Sequence, residues 1–232
     1  MTVLNRRDER GVATLTLSRP ALKNALSTEL LVQLQSQLDR VRDSPEVRTV
    51  ILAGAGDTFC AGADLREFPP DAGPDRSLRR IRLVTQVIAQ LRNLEQPTLA
   101  VVQGPAYGAG WGLALACDLT IAADDARFSL PEVRKGLRLP SVIVARLVEV
   151  VGPVQAARIT LGGEAFDAAQ GAAAGWVAWR QPDAAQAGQF ARDLARELAA
   201  RPRTAVASVK RVLRPGSRAG LVPPPEYAWT EE

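Results

Sequence analysis

The 232-residue sequence contains no histidine. That absence removes the Ser-His-Asp triad, the Cys-His pair, histidine-ligated zinc and iron sites and imidazole acid/base chemistry together. Any catalysis falls to carboxylates, lysines, tyrosines, backbone dipoles or a cofactor. Cysteine is scarce as well: Cys60 and Cys117 stand without metal-type spacing, and they read as two small core residues with free thiols in a reducing compartment. No run of about 18 apolar residues occurs anywhere. Near the start, Arg6, Arg7, Asp8, Glu9 and Arg10 leave no apolar stretch for a signal peptide. The expectation is a cytoplasmic protein with no membrane partner. Aromatic residues make up only 5% and are not interleaved with basic ones, which offers little for stacking nucleic-acid bases.

What is present reads as an ordinary globular chain. Hydrophobic residues amount to 47% and charged residues to 23%, so a core can form, and the length suits one large domain or a main domain with an appendage. The net charge of +4 comes from 29 basic and 25 acidic residues mixed along the chain, a solvated surface with a balance that suits an anionic ligand. Lys210, Arg211 and Arg214 form the best nucleic-acid candidate, and they read as the exposed face of a terminal helix; no nucleic-acid partner is expected.

Hydrophobic periodicity orders the elements. Val12 to Leu17 alternates apolar residues with threonine and reads as a strand, and Val47 to Ala53 as another. Between them Ser27 caps a helix with Leu30, Leu31, Leu34, Leu38 and Val41 on one face. Arg66 to Ser77, with Pro69, Pro70, Gly73 and Pro74, reads as a loop or lid. Leu78 to Leu94 returns to helical spacing, and Thr98 to Val102 and Leu119 to Ala123 read as strands around an apolar helical piece, Leu113 to Cys117. Beyond Pro140 the strand signal fades and helices are expected at Ile143 to Val151, Val154 to Leu161, Asp167 to Ala174, Ala184 to Ala200 and Thr204 to Leu213. The fold class is therefore α/β with a helical C-terminal region.

Three elements could carry chemistry. Ala61-Gly62-Ala63-Asp64 and Gly108-Ala109-Gly110-Trp111-Gly112 are small-residue turns, each following a buried-type strand and preceding a helix, where unpaired N–H groups point outward. Either alone reads as a tight connection; two facing one atom would make an oxyanion hole. Leu113 stands where the third glycine of a dinucleotide fingerprint belongs, and no Walker A or G-x-S-x-G stretch occurs. The third element is Phe128-Ser129-Leu130-Pro131-Glu132. Pro131 can start a helix and place Glu132 in its first turn, where a carboxylate is also an ordinary helix acid.

Taken in order, Arg19-Pro20, Asn24-Ala25-Leu26, Phe59 to Leu65, Gly104 to Asp118, Phe128 to Gly136, Gly152 and Gly162-Gly163 resemble the crotonase superfamily, the enoyl-CoA hydratase/isomerase family. The resemblance spans about Val12 to Leu213. It implies a spiral of repeated strand-strand-helix units over residues 1–180, followed by a C-terminal helical region, 181–232, shortened relative to the family. It also implies an acyl-CoA thioester as substrate, coenzyme A being part of that substrate with no separate cofactor and no metal, and a homotrimer or a hexamer made of two trimers. The oxyanion donors would be the amides of Ala63 and Ala109, with Glu132 as acid/base. The acyl-CoA groove would involve Ala25, Ala61, Ala63, Asp64, Leu65, Arg66, Gly108, Ala109, Trp111, Gly112 and Pro131. In that groove Arg66 would meet a phosphate, Asp64 would order the turn, and Trp111 with Leu130 would make the acyl pocket apolar. Asp118 reads as a structural acid.

One departure matters. Hydratases of the family carry a second glutamate at the position of Gly112. Adding water needs it held and deprotonated, whereas moving a double bond needs one base beside an enolate. The one-glutamate pattern therefore points first to a 3,2-enoyl-CoA isomerase. Enoyl-CoA hydratase, a hydrolase or decarboxylase of the same type, and a non-catalytic acyl-CoA-binding member are the alternatives.

Overall fold

The computed structural model describes residues 3–67 and 73–213. In chain order the elements are β1 (Leu4–Glu9), β2 (Val12–Leu17), α1 (Thr28–Asp43), β3 (Thr49–Gly54), α2 (Gly73–Asn93), β4 (Thr98–Val102), β5 (Pro105–Tyr107), α3 (Ala109–Ala116), β6 (Leu119–Ala123), β7 (Arg127–Ser129), α4 (Ser141–Gly162), β8 (Ala165–Asp167), α5 (Ala168–Ala174), β9 (Trp179–Gln181), α6 (Ala184–Ala200) and α7 (Arg203–Leu213).

Six strands form one sheet in the order β1-β2-β3-β4-β6-β9, antiparallel at the β1–β2 edge and parallel from β2 onward. A second sheet, β5-β7-β8, is smaller. Two single bridges, Leu26↔Ala63 and Cys60↔Ala106, extend the small sheet's pairing back toward the N-terminus. The repeat is then visible: β4, β5, α3 and β6, β7, α4 are strand-strand-helix turns, and the Leu26 and Cys60 bridges stand for the second strand in the turns that end in α1 and α2. This is the crotonase-type spiral.

At the centre of the large sheet β3, β4 and β6 are buried on both sides, so both of their faces are apolar. Val50, Leu52, Ala100, Val102 and Ala122 face the main core with α1, α2 and α3, while Ile51, Leu99, Val101, Ile121 and Ala123 face α6. The packing surface of α6 is Ala187, Ala191, Ala195 and Ala199, spaced by four so that a smooth stripe lies flat on the strands. At the other end of the core, Ser27 caps α1 by accepting from the Leu30 N–H at 3.2 Å.

Several expectations need correction. The strand signal does not end at Pro140: β8 and β9 follow it, each three residues long and too short for alternation to show. The strand β1 hides in the charged run around Arg6 because it is a sheet edge whose side chains reach solvent. The helix α2 begins at Gly73 rather than Leu78, with Pro74 in the first turn, where a missing N–H is tolerated; Pro69 and Pro70 lie outside the described residues. The two helices expected on either side of Gly152, by contrast, are both present: they meet at a non-helical break where Gly152 takes φ 76° ahead of Pro153, and together they make up α4. Lys210 is not on an exposed face: it is 5% exposed, donates to the Gln96 carbonyl at 2.7 Å and pairs with Asp118 at 2.6 Å. Arg214 and the rest of the proline-containing C-terminus lie outside the described residues. Among the described residues no helix is long and apolar enough to cross a membrane.

The alanine stripe makes a direct prediction. Ala191→Leu forces a branched side chain between α6 and the sheet and lowers stability by about 1–3 kcal/mol, whereas Ala185→Leu, at an exposed site, changes it by less than about 0.5 kcal/mol; chemical denaturation of both variants checks the difference.

Candidate active site

The two glycine-rich turns are pressed together by their backbones. Cys60 N–H donates to Pro105 O at 3.1 Å and Tyr107 N–H to Cys60 O at 2.9 Å, so the first turn and β5 run as neighbouring strands. A Cβ at Gly110 would come within 2.7 Å of the Cys60 Cβ and 2.8 Å of its Sγ, and would collide with its carbonyl oxygen. Gly62, at φ 91°, occupies left-handed backbone whose added Cβ would meet the Tyr107 carbonyl at 2.8 Å and lie 3.6 Å from the Ala109 nitrogen. Small residues are thus imposed by the approach of one turn to the other. Among the described residues neither the Ala63 nor the Ala109 amide donates to a protein acceptor. Ala109 is the first residue of α3, where amides have no intrahelical acceptor.

Asp64 fixes the first turn from below. Its side chain, 4% exposed, receives Arg19 Nη2 at 2.8 Å, and Arg66 forks onto it through Nε at 3.1 Å and Nη2 at 2.9 Å. The Arg66 hydrogen bonds first, then those from Arg19, hold this carboxyl well below the usual range against the opposing effect of burial. Arg19 also donates to the Ala25 carbonyl, tying the preceding loop to the same node. Behind the turn, Asn24 donates to the Thr58 carbonyl at 2.7 Å. Cys60 and Cys117 are buried free thiols, pushed up to about 12 by desolvation.

Glu132 reaches the second turn from the β7 side. Pro131 does not begin an α-helix; Glu132 instead precedes a single 3-10 turn, Val133–Lys135, closed by Gly136. Its Oε1 lies 2.5 Å from where a Cβ of Gly108 would stand, and Gly108 has φ 54°, so this glycine gives the carboxyl its space. The other oxygen, Oε2, is buried without a hydrogen-bond partner among the described residues. Burial raises the Glu132 pKa, opposed by its own backbone hydrogen bond and by the charges of Arg80 and Lys135. A carboxyl poised in this way can take or give a proton.

A cleft of about 610 Å³, measured out to its open mouth, joins these parts. Seven residues anticipated from sequence line it: Ala61, Ala63, Leu65, Gly108, Ala109, Pro131 and Glu132. The structure places five others elsewhere. Ala25 and Asp64 support the first turn, and Arg66 is engaged by Asp64 at its rim. Trp111 is 1% exposed and packs inside the core with its ring tilted against Phe128 and edge-on to Trp176, centroids 5.6 and 5.2 Å away, where Leu130 is also fully buried. Neither gives the cleft its apolar wall; Val84, Leu137 and Pro140 do. Gly112 faces away from the lining, and a Cβ there would sit 2.6 Å from Ile143 Cδ1 and 3.3 Å from Ile88 Cδ1. Two isoleucines fill the volume a longer side chain would need.

Sequence reasoning missed Arg80, Tyr107, Lys135 and Arg138 in the lining. Arg80 and Val84 stand four apart on α2, so the helical period would have put them on one face, but only the tertiary structure turns that face to the cleft.

The sequence profile of the enoyl-CoA hydratase/isomerase family matches residues 7–222. The chain belongs to this family. It is 34% identical over 213 residues to 2,3-dehydroadipyl-CoA hydratase of Escherichia coli, covering 92% of this chain and 82% of that one. Among solved structures it resembles the enoyl-CoA hydratase of Bacillus anthracis, with TM-score 0.90, 28% identity and coverage of 95% and 85% of the two chains. AtuE of Pseudomonas aeruginosa gives TM-score 0.86 and 32% identity over 91% and 83%. As a crotonase-type acyl-CoA enzyme the protein acts on a coenzyme A thioester. The comparisons overturn the isomerase reading, because the curated relatives carry hydratase names. The inference from Gly112 failed because one missing carboxylate says what a site lacks, while enolate stabilisation and a remaining acid/base group serve several reactions equally.

Two pH experiments test the electrostatics of this crotonase site. Asp64 has a lowered pKa, so its stabilisation is full above the unfolded value near 3.8 and is lost as pH falls through the folded value. Asp64→Asn therefore destabilises by about 3 kcal/mol at neutral pH, and its deficit in denaturation midpoint closes only below the ordinary carboxylate range. Glu132 has the opposite sign: raised above 4.5, it contributes fully below that value and loses the contribution as pH rises through its folded pKa. Glu132→Gln accordingly melts higher than the native chain under mildly alkaline conditions, and the gap narrows on acidification.

Proposed function

We propose that this chain adds water across a 2-enoyl-CoA thioester, and removes it in reverse, with Glu132 as its single proton-transfer group. The observation that carries the reading is the position of Glu132 against Gly108, beside two unengaged amides at Ala63 and Ala109 in one cleft. The thioester oxygen takes its place between those amides, which stabilise negative charge that appears only as the enolate forms. Each such donor contributes roughly a hundredfold to a thousandfold in rate. The coenzyme A arm follows Ala61 to Leu65.

Water attacks the β-carbon and gives its proton to one oxygen of Glu132; the α-carbon takes a proton from the carboxyl, which returns to its starting form. Atoms balance with one carboxyl because the same group accepts and donates. Its raised pKa favours the donating half, and the absence of a second glutamate at Gly112 makes the reaction slow, by roughly a hundredfold to ten-thousandfold relative to a site with both. The hydratase names of the relatives support the same chemistry.

A member that binds acyl-CoA without turning it over is the second reading, favoured by the isoleucines packed around Gly112. A homotrimer, or a hexamer of two trimers, is part of the proposal, supported by the outward exposure of Val154 at 81% and Leu161 at 72% on α4.

Purified protein incubated with 2-enoyl-CoA thioesters is expected to lose enoyl absorbance while the product gains the mass of one water. Glu132→Gln should lower that rate at least about a hundredfold and leave thioester affinity within a few-fold. Thermal stabilisation by acyl-CoA with no chemical change selects the binding member, and a Glu132→Gln variant of undiminished rate ends the role assigned to that residue.

A further inference from the structure

Arg80 lies on α2 one turn before Val84, and both line the cleft. It is 7% exposed, yet among the described residues its guanidinium has no hydrogen bond and no carboxylate within 4.0 Å. A guanidinium presents five donors in a planar fork and stays protonated, so a buried one left without a counter-anion is costly and needs a reason. Glu132 does not supply one. Among the described residues it is the only acidic one in the lining, it acts on Arg80 through space without an ion pair, and burial favours its neutral form. Lys135 and Arg138 add two more cations to the lining. Those two are exposed, where phosphates of the coenzyme arm are reached from solvent; Arg80 is inside.

We propose that Arg80 is a specificity-determining residue that binds a second carboxylate at the far end of the acyl chain, so that the substrate class is the coenzyme A monothioester of a dicarboxylic acid. A carboxylate matches the guanidinium fork with two parallel hydrogen bonds and neutralises the buried charge. A plain alkyl chain leaves the charge unpaired and forfeits its solvation. This inference rests on the acyl-CoA reading of the cleft.

Calorimetric titration of the full chain with saturated thioesters tests it, comparing succinyl-, glutaryl- and adipoyl-CoA with butyryl-, pentanoyl- and hexanoyl-CoA and with free coenzyme A. At one chain length the diacid thioester is expected to bind at least about tenfold more tightly than its alkyl counterpart. Arg80→Met should erase that preference with little effect on the alkyl thioesters, and Arg80→Lys should keep part of it. Equal binding of the two series at every length overturns the proposal. So does Arg80→Met weakening free coenzyme A and all thioesters by one factor, which would assign the residue to a phosphate. If Arg80→Met does not fold by circular dichroism, Arg80→Lys and Arg80→Gln carry the comparison. Saturated thioesters take up no water, so the outcome is independent of the hydratase reading, which fails separately if the matched unsaturated thioester is not hydrated.

Discussion

Contact between the backbones of two turns, Cys60 to Ala63 and Tyr107 to Gly110, governs this structure. Reciprocal hydrogen bonds between Cys60 and β5 bring the turns side by side, and the contacts that a Cβ at Gly62 or Gly110 would make leave no room for a larger residue. With the turns fixed, the start of α3 is aimed into the cleft and the Ala109 amide stands beside the first turn. Asp64, held between Arg19 and Arg66, keeps the opposite side of the first turn from yielding. The arrangement is rigid because its parts are main chain and a multiply bonded carboxylate, which have few alternative rotamers to visit.

Onto this frame the chain places a small number of charges in poorly solvated positions. Glu132 has one oxygen against Gly108 and the other buried without a partner among the described residues, so desolvation disfavours its charged form. Arg80, in the same lining, is buried with the opposite problem. Each raises the other's charged population, yet neither neutralises the other, because they do not form an ion pair. Unpaired buried charges are tolerated where a ligand completes them. The departure at Gly112 fits the same economy of polar groups: the space of a second carboxylate holds Ile88 and Ile143, which extends the core instead of the site.

Much of this was legible beforehand, and for definite reasons. The helix α1 followed from Ser27 and a five-residue apolar face, and α6 from its spacing, since helical period is a local property. The turns at Gly62 and Gly108 announced themselves because close main-chain approach leaves a residue-level signature in small side chains. Trp111 was misplaced because a large aromatic next to a site looks the same in sequence whether it faces ligand or core; its packing against Phe128 and Trp176 is a long-range event. The strands β8 and β9 were invisible because three residues cannot display a period of two.

The sequence by itself determined the family, the layered α/β plan, the absence of imidazole chemistry and the candidacy of Glu132, all of which depend on residue type and order along the chain. The tertiary structure alone decided which face of α2 meets the cleft, that Arg80 is buried there without a partner among the described residues, that Lys210 points into the core rather than to solvent, and that Gly112 is sealed by isoleucines from two different helices. The physical reason is that burial, and with it the cost or use of a charge, is set by residues distant in sequence, and local pattern carries no record of them.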